Sequence, residues 1–168
     1  MKKDNLIIEG AKIIFKNFAG EEGQYNRAGD RNFSVVIDDA DLAATLIEDG
    51  WNLKPLKKRD PDDEQAYHLK VAVNMGGNWP AKLYLVNRRG RPNRLDEDTV
   101  SELDISELGK VDLTINPSNW EVNGKTGVKA YLKDLYASLV EDELFDRYNN
   151  PYNNDSKVEA GEYYVPRR

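Results

Sequence analysis

The sequence contains no cysteine and only one histidine, His68, among its 168 residues. The absence of thiols excludes a disulfide framework, a thiolate metal site and a cysteine nucleophile. One imidazole is also too few for a histidine-based zinc site or for most nucleophilic triads. Because His68 opens an alternating segment, we expect a structural or surface role for it. The sequence predicts no catalytic residue, no metal ligand and no cofactor.

Long hydrophobic runs are missing as well. No segment approaches the ~20 apolar residues that a membrane-spanning helix needs. The charged first four residues are followed only by short apolar runs, which lack the core of a signal peptide. We therefore expect a cytoplasmic protein with no membrane partner. A chain of 168 residues fits one domain that buries a core of its own.

Charge is abundant in the chain and is unevenly distributed. The formal net charge is −6 and the isoelectric point is near 4.9. Residues 65–95 hold six Lys or Arg and no acid, whereas residues 96–108 hold six acids and no base. A polyanion responds to the local field, so an acidic protein can still present one cationic surface. Solvated loops are the other interpretation of such runs.

Alternating apolar and polar residues predict a mainly β fold. Residues 6–15 form an isoleucine-rich segment whose interruption at Glu9-Gly10 suggests a bend or bulge in one long strand. Four further segments alternate with the period of a half-buried strand. Their apolar members are Phe33, Val35 and Ile37; Leu69, Val71, Val73 and Met75; Ala81, Leu83 and Leu85; and Val111, Leu113 and Ile115. Five such strands predict a sheet or a barrel.

One helix is well marked among these strands. Asp38 or Asp39 can cap its start, residues 42–47 carry an i,i+4 apolar stripe, and Gly50 stops it. Residues 98–108 fit a helix and a strand equally well.

Loops and a tail complete the organisation of the chain. Connections are expected at residues 19–32, 57–65 and 87–93, and a third helix at residues 141–148. After residue 148 no apolar periodicity remains. We therefore expect a domain at residues 1–148 and a flexible tail at residues 149–168.

Residues 120–136 are typical of a β-hairpin. The pair Asn123-Gly124 is a strong hairpin signal, because both turn residues must tolerate positive φ. Beyond the turn, alternation predicts a core face of Val128, Ala130 and Leu132 and an exposed face of Lys129, Tyr131 and Lys133. The apolar phase then shifts, since Leu135, Ala137 and Leu139 form the next set. A bulge near residues 133–134 would explain the shift.

Lysines that flank an aromatic residue on an exposed strand suit single-stranded nucleic acid. Ammonium groups neutralise phosphates, and an aromatic ring stacks a base with about 1–3 kcal/mol. Lys82 with Tyr84 repeats the combination, and so do the basic and aromatic residues of segment 25–33, including Phe33. Lysine stems packed on surface tyrosines are the other interpretation. The predicted binding residues are Tyr25, Arg27, Arg31, Lys82, Tyr84, Arg88, Arg89, Arg91, Trp120, Lys125, Lys129, Tyr131 and Lys133.

The length of the hairpin loop decides where Trp120 lies. A loop of two or four residues places Trp120 on the face of Lys129 and Tyr131, where it could stack a base. A loop of three or five residues places it in the core. We expect the exposed position.

Several segments together resemble phage single-stranded DNA-binding proteins. In that family a Gly-Lys-x-Gly-Val turn leads into a strand, and Gly124-Lys125-Thr126-Gly127-Val128 matches it here. Residues 111–116, the opening strand at 5–15, and the middle region at 79–92 with Trp79-Pro80 are also similar. The resemblance covers about two thirds of the chain.

This resemblance implies an OB-fold-like five-stranded barrel with one or two short helices, into which the helix near residues 39–49 is inserted. It implies a basic, aromatic groove that coats single-stranded DNA in phage replication or recombination. Such proteins often end in an acidic tail that recruits replication or recombination proteins or shields the groove. The acids at 141–143 fit that pattern, whereas the aromatic and basic residues at 163–168 depart from it.

Two other functions remain open at this point. The acidic run at residues 96–107 would suit a protein-binding phage inhibitor that mimics DNA. A metal-dependent nuclease would need paired carboxylates. The acids of residues 60–64 lack the spacing of an EF-hand, and a solvated loop explains them better.

Overall fold

Strands dominate residues 4–140, the part of the chain that the computed structural model describes. The predicted third helix at 141–148 and the predicted tail lie outside these residues. The strands are β1 (Leu6–Ile8), β2 (Ile13–Asn17), β3 (Arg31–Ile37), β4 (Leu53–Pro55), β5 (Tyr67–Val73), β6 (Lys82–Val86), β7 (Pro92–Leu95), β8 (Leu108–Val122) and β9 (Lys125–Leu139); the helices are α1 (Ala40–Glu48) and α2 (Glu102–Ile105). The mainly β prediction is confirmed.

The sheet bends round so that its two ends meet in one segment. Its main path runs β1-β8-β9-β5-β3-β2, and β1 and β2 are successive pieces of the same stretch of chain. Between them the Ala11 N–H donates to the Val111 carbonyl at 2.7 Å, and the Lys12 carbonyl accepts from Val36 at 2.9 Å. The bend falls at Gly10, whose φ is +64°, as the sequence predicts. The strand ladder is not closed between β1 and β2, so the fold is barrel-like rather than a closed barrel.

Strands β5 and β6 lie one after the other along the same side of β9, and both are parallel to it. Residues 71–72 pair with residues 130–131, and residues 82–85 pair with residues 134–137. The Ala81 N–H donates to the Asn74 carbonyl at 2.7 Å and closes the connection between the two strands. Residues 75–80 therefore project as a loop, on which Trp79 is 89% exposed.

The core lies on one face of this curved sheet and follows the predicted alternation. Phe33, Val35, Leu69, Val71, Leu113 and Ile115 are fully or almost fully buried. Phe33 stacks on Phe18 with ring centroids 5.1 Å apart. Grouping Phe33 with the basic and aromatic residues of segment 25–33 was therefore wrong, because its position in β3 points it inward.

Helix α1 begins and ends as the sequence predicts. The Asp39 carboxylate accepts from the N–H groups of Asp41 and Leu42, and Gly50 follows the helix with a φ of +97°. Of the ambiguous residues 98–108, residues 102–105 form the short α2 and Leu108 begins β8. Strand β7 occupies part of the loop predicted at 87–93, since Pro92 can begin a strand that is paired on one side only. No helix within residues 4–140 is both long and apolar enough to cross a bilayer.

Candidate nucleic-acid interface

The β8–β9 hairpin has a two-residue turn. Asn123 and Gly124 have φ values of +52° and +81°, and Val122 pairs with Lys125. Positive φ at both turn positions is the signature of the hairpin turn that Asn-Gly favours. This register pairs Trp120 with Gly127. Trp120 therefore lies on the face of Lys129 and Tyr131 and is 43% exposed, which confirms the expected position.

The two faces of β9 are those that alternation predicts. Val128, Ala130 and Leu132 are at most 4% exposed, while Lys129 and Lys133 are exposed and Tyr131 is half-buried. We call the side of β9 that carries Lys129 and Tyr131 its outer face.

A bulge then shifts the phase of β9. Ile115 pairs with Leu132, but the preceding residue, Thr114, pairs with Asp134. Lys133 is therefore the extra residue on β9. After it, Leu135 and Ala137 turn into the core. The predicted bulge at residues 133–134 is confirmed.

The outer face of β9 forms one wall of an open cleft of about 530 Å³. Tyr131 lies opposite Asn116 on β8 and Ala72 on β5, and Ala72 lies opposite Asn32 on β3. The cleft is thus assembled from four neighbouring strands, β8, β9, β5 and β3, and from the loop before β3. We name it the Trp120 cleft after its most prominent side chain. Its basic and aromatic lining residues are Arg27, Arg31, Lys70, Trp120, Lys129 and Tyr131.

Lys70 and Lys129 place two positive charges in the Trp120 cleft. The Lys129 ammonium lies 5.1 Å from the centre of the Tyr131 ring, so cation and aromatic surface are adjacent. Lys70 lies on β5 and is exposed. Within residues 4–140 neither lysine forms an ion pair. Their charges are therefore available to an anionic ligand.

The two arginines of the cleft have different roles. The Arg27 side chain is 93% exposed and lies 3.8 Å from the Asp30 carboxylate, a distance at which the pair is weak in solvent. Arg31 donates from Nη1 to the Phe18 carbonyl at 2.6 Å. Arg31 thus anchors the loop before β3, while Arg27 stays accessible. Tyr25, on the same loop, is 88% exposed.

A second aromatic and basic cluster lies further along β9, beyond the bulge. Tyr84 stacks on Tyr136 with ring centroids 4.6 Å apart and planes within 11°. The Arg94 guanidinium lies 5.8 Å from the centre of the Tyr84 ring, and Lys82 is exposed on the same strand as Tyr84. Desolvation raises the pKa of the Tyr136 phenol, and Tyr84 and Asp134 raise it further.

The remaining predicted residues lie at opposite ends of β9. Lys125 begins the strand beside the Asn123-Gly124 turn. Arg88, Arg89 and Arg91 lie in the β6–β7 turn, beyond the carboxyl end of β6, and the Asn87 side chain accepts from the N–H groups of Arg89 and Arg91. Because β6 is parallel to β9, this turn lies at the end of β9 away from Lys125. The thirteen predicted residues thus do not form one cluster.

Three residues of these surfaces were missing from the predicted set. Lys70 alternates with the buried Leu69 and Val71, so its outward position was readable from the sequence. Tyr136 was also readable, because the phase shift at Lys133 turns it outward. Arg94 was not, since its contact with Tyr84 depends on the β6–β7 register.

The acidic run at residues 96–108 is partly used to hold the fold. The Asp104 carboxylate accepts from the N–H groups of Phe18 and Ala19 at 2.7 and 2.9 Å. The Thr99 hydroxyl and nearby N–H groups donate to Asp96 and lower its pKa. No group of three or more potential ligands is placed to hold a metal ion in the described part of the chain.

Comparison with known proteins agrees with this geometry. Residues 1–163 match the model of the family described as "Putative phage ssDNA-binding domain". The chain belongs to this family of phage single-stranded DNA-binding domains. No curated protein sequence matches it significantly.

Solved structures of phage single-stranded DNA-binding proteins share the fold of this protein. The C-terminal truncation of the single-stranded DNA-binding protein from bacteriophage Enc34 has a TM-score of 0.50 and 10% identity, over 80% of this chain and 86% of that chain. The same phage protein in complex with ssDNA has a TM-score of 0.51 and 10% identity, over 79% and 84% of the two chains.

Proposed function

We propose that this protein is a non-catalytic single-stranded DNA-binding protein that binds DNA along the outer face of β9. One observation supports this most strongly: Trp120, Tyr131, Lys129 and Lys70 line the same open cleft. Bases stack on the rings of the two aromatic residues, and phosphates bind the two ammonium groups. Stacking accepts any base, so the protein has little sequence preference.

The bound strand continues from the Trp120 cleft in both directions. Arg27 and Tyr25 contact it from the loop before β3, Arg31 borders it at the start of β3, and Lys125 contacts it beside the hairpin turn. Across the bulge, Lys133 leads towards Lys82 and Tyr84, with Arg88, Arg89 and Arg91 beyond them. These positions extend a phosphate and base path along much of β9.

In the infected host the protein coats and protects single-stranded DNA during phage replication or recombination. Its place of action is the host cytoplasm, where this DNA is exposed. Replication or recombination proteins are the partners that the acids at residues 141–143 would attract. No catalytic residue is assigned, and DNA is expected to stay intact when the protein is incubated with Mg²⁺ or Mn²⁺.

Fluorescence anisotropy of labelled oligothymidine tests this function. We expect tight binding at low salt, a linear fall of log K with log salt, and poor competition by duplex DNA. An oligonucleotide of mixed sequence should bind with a similar affinity. Absence of binding at low salt, or binding that does not respond to salt, would contradict the proposal.

A further inference from the structure

Trp120 lies so close to Gly127 that no other residue fits at that position without moving the indole. A Cβ atom built on Gly127 would lie 2.6 Å from Cζ2, 2.8 Å from Cε2 and 3.0 Å from Nε1 of Trp120. Carbon atoms in contact are normally ~3.5–4.0 Å apart. The indole therefore covers the bare backbone of the strand opposite, an arrangement by which aromatic residues compensate for glycine in sheets.

The turn chemistry does not account for this glycine. Gly124 has positive φ and completes the hairpin turn, whereas Gly127 has no positive φ. An alanine is thus compatible with the backbone at residue 127. What requires the second glycine of the Gly124-Lys125-Thr126-Gly127-Val128 motif is the space that the Trp120 ring occupies.

We propose that Gly127 is a positioning residue for DNA binding, which seats the Trp120 indole against β9 and leaves it 43% exposed as a preformed stacking surface. This inference rests on the proposed function. A ring already fixed by the sheet loses little conformational freedom when a base stacks on it. If the indole cannot pack against Gly127, it moves away from Lys129 and Tyr131, with which it lines the Trp120 cleft.

A double-mutant cycle on the full chain tests this role, with binding of labelled oligothymidine as the readout. Trp120→Ala should weaken binding about 5- to 150-fold, the range that stacking of one base implies. Gly127→Ala should weaken it by at least about 5-fold. In the Trp120→Ala background, Gly127→Ala should cause no further loss, because residue 127 acts only through the indole.

Two further measurements separate positioning from a general structural defect. The salt dependence of binding should be unchanged in Gly127→Ala, since no phosphate contact is removed. Thermal stability should change little, because the preference of a strand for alanine over glycine offsets the lost packing of the indole on β9. Gly76→Ala is the matched control, since its Cβ would meet nothing within 4 Å, its φ is not positive, and it lies on the loop at residues 75–80, outside the proposed DNA path. It should bind as the wild type does.

The outcomes distinguish this inference from the proposed function. If the wild-type chain does not bind oligothymidine, the proposed function fails. If the wild type binds and Trp120→Ala is weakened while Gly127→Ala binds normally, the function stands and the positioning role is overturned. An additive loss in the double variant also overturns it.

Discussion

Tyr84 and Tyr136 stack across the parallel pair of β6 and β9, with their ring centroids 4.6 Å apart. The bulge at Lys133 makes this contact possible. Simple alternation from Tyr131 would point Tyr136 into the core, and the extra residue turns it to the outer face instead. Five residues of an extended strand span roughly 16 Å. Two aromatic surfaces therefore follow each other along one strand.

Tyr84→Ala should weaken the binding of long oligonucleotides more than that of short ones. A short strand fits the Trp120 cleft alone, whereas a longer one reaches Tyr84 and Tyr136. Oligothymidines of roughly 6 and 16 nucleotides bracket this difference. Tyr84→Phe retains the ring and should bind both lengths normally. Equal losses for both lengths in Tyr84→Ala would argue against a second surface.

Removing one cleft lysine should reduce the salt dependence of binding. Each phosphate contact with a single strand contributes about 0.7 to the slope of log K against log salt. Lys70→Gln and Lys129→Gln should each lower the slope by about that amount. Lys12→Gln is the control, because Lys12 is exposed on the connection between β1 and β2. If the Lys12 variant lowers the slope as much as the cleft variants do, the cleft is not the phosphate site.

Asp104→Ala should destabilise the start of the loop that carries Tyr25 and Arg27. The substitution leaves the N–H groups of Phe18 and Ala19 without their acceptor, at a cost of about 1–3 kcal/mol. Urea unfolding measures the loss, and faster amide exchange at Phe18 and Ala19 locates it. Asp104→Asn keeps one carbonyl oxygen and should lose less. An Asp104→Ala protein as stable as the wild type would show that these bonds contribute nothing.

His68 should titrate below the ordinary histidine pKa of 6.5. Burial lowers its pKa, and the charge of Lys54, directly opposite on β4, lowers it further. Because the chain has one histidine, its proton NMR titration is unambiguous. Lys54→Gln should raise the midpoint without restoring it fully. A midpoint at or above 6.5 in the wild type would be inconsistent with this environment.

The lowered pKa of His68 determines how its contribution to stability changes with pH. The unfolded chain takes up the His68 proton more readily than the native chain does. The contribution of His68 to stability is therefore complete above pH 6.5 and is lost as the pH falls through the lower, native pKa. Urea unfolding of the wild type and of His68→Gln at several pH values should show the difference.

Local signals in the sequence were sufficient to predict the faces of β9. The Asn123-Gly124 turn set the register, and alternation assigned Val128 to the core and Lys129 to the surface. The change of phase after Leu132 identified the bulge. Each of these features depends on neighbouring residues, which is why the sequence reveals them.

Contacts between segments that are distant in the chain could not be predicted from the sequence. Nothing local indicates that β6 is parallel to β9, so the stacking of Tyr84 on Tyr136 could not be predicted. Arg31 was predicted as a ligand contact, but its bond to the Phe18 carbonyl depends on how the loop folds back. For Phe33, composition suggested a binding role, whereas its strand position placed it in the core.

The most direct test of the account is photo-crosslinking of the full chain to an iododeoxyuridine-substituted oligothymidine, with the adducts mapped by mass spectrometry. If single-stranded DNA binds along the outer face of β9, adducts will form at Trp120 or Tyr131 and will disappear with excess unlabelled oligothymidine. Competable adducts that are confined to residues outside this face, such as Phe15, would contradict the account.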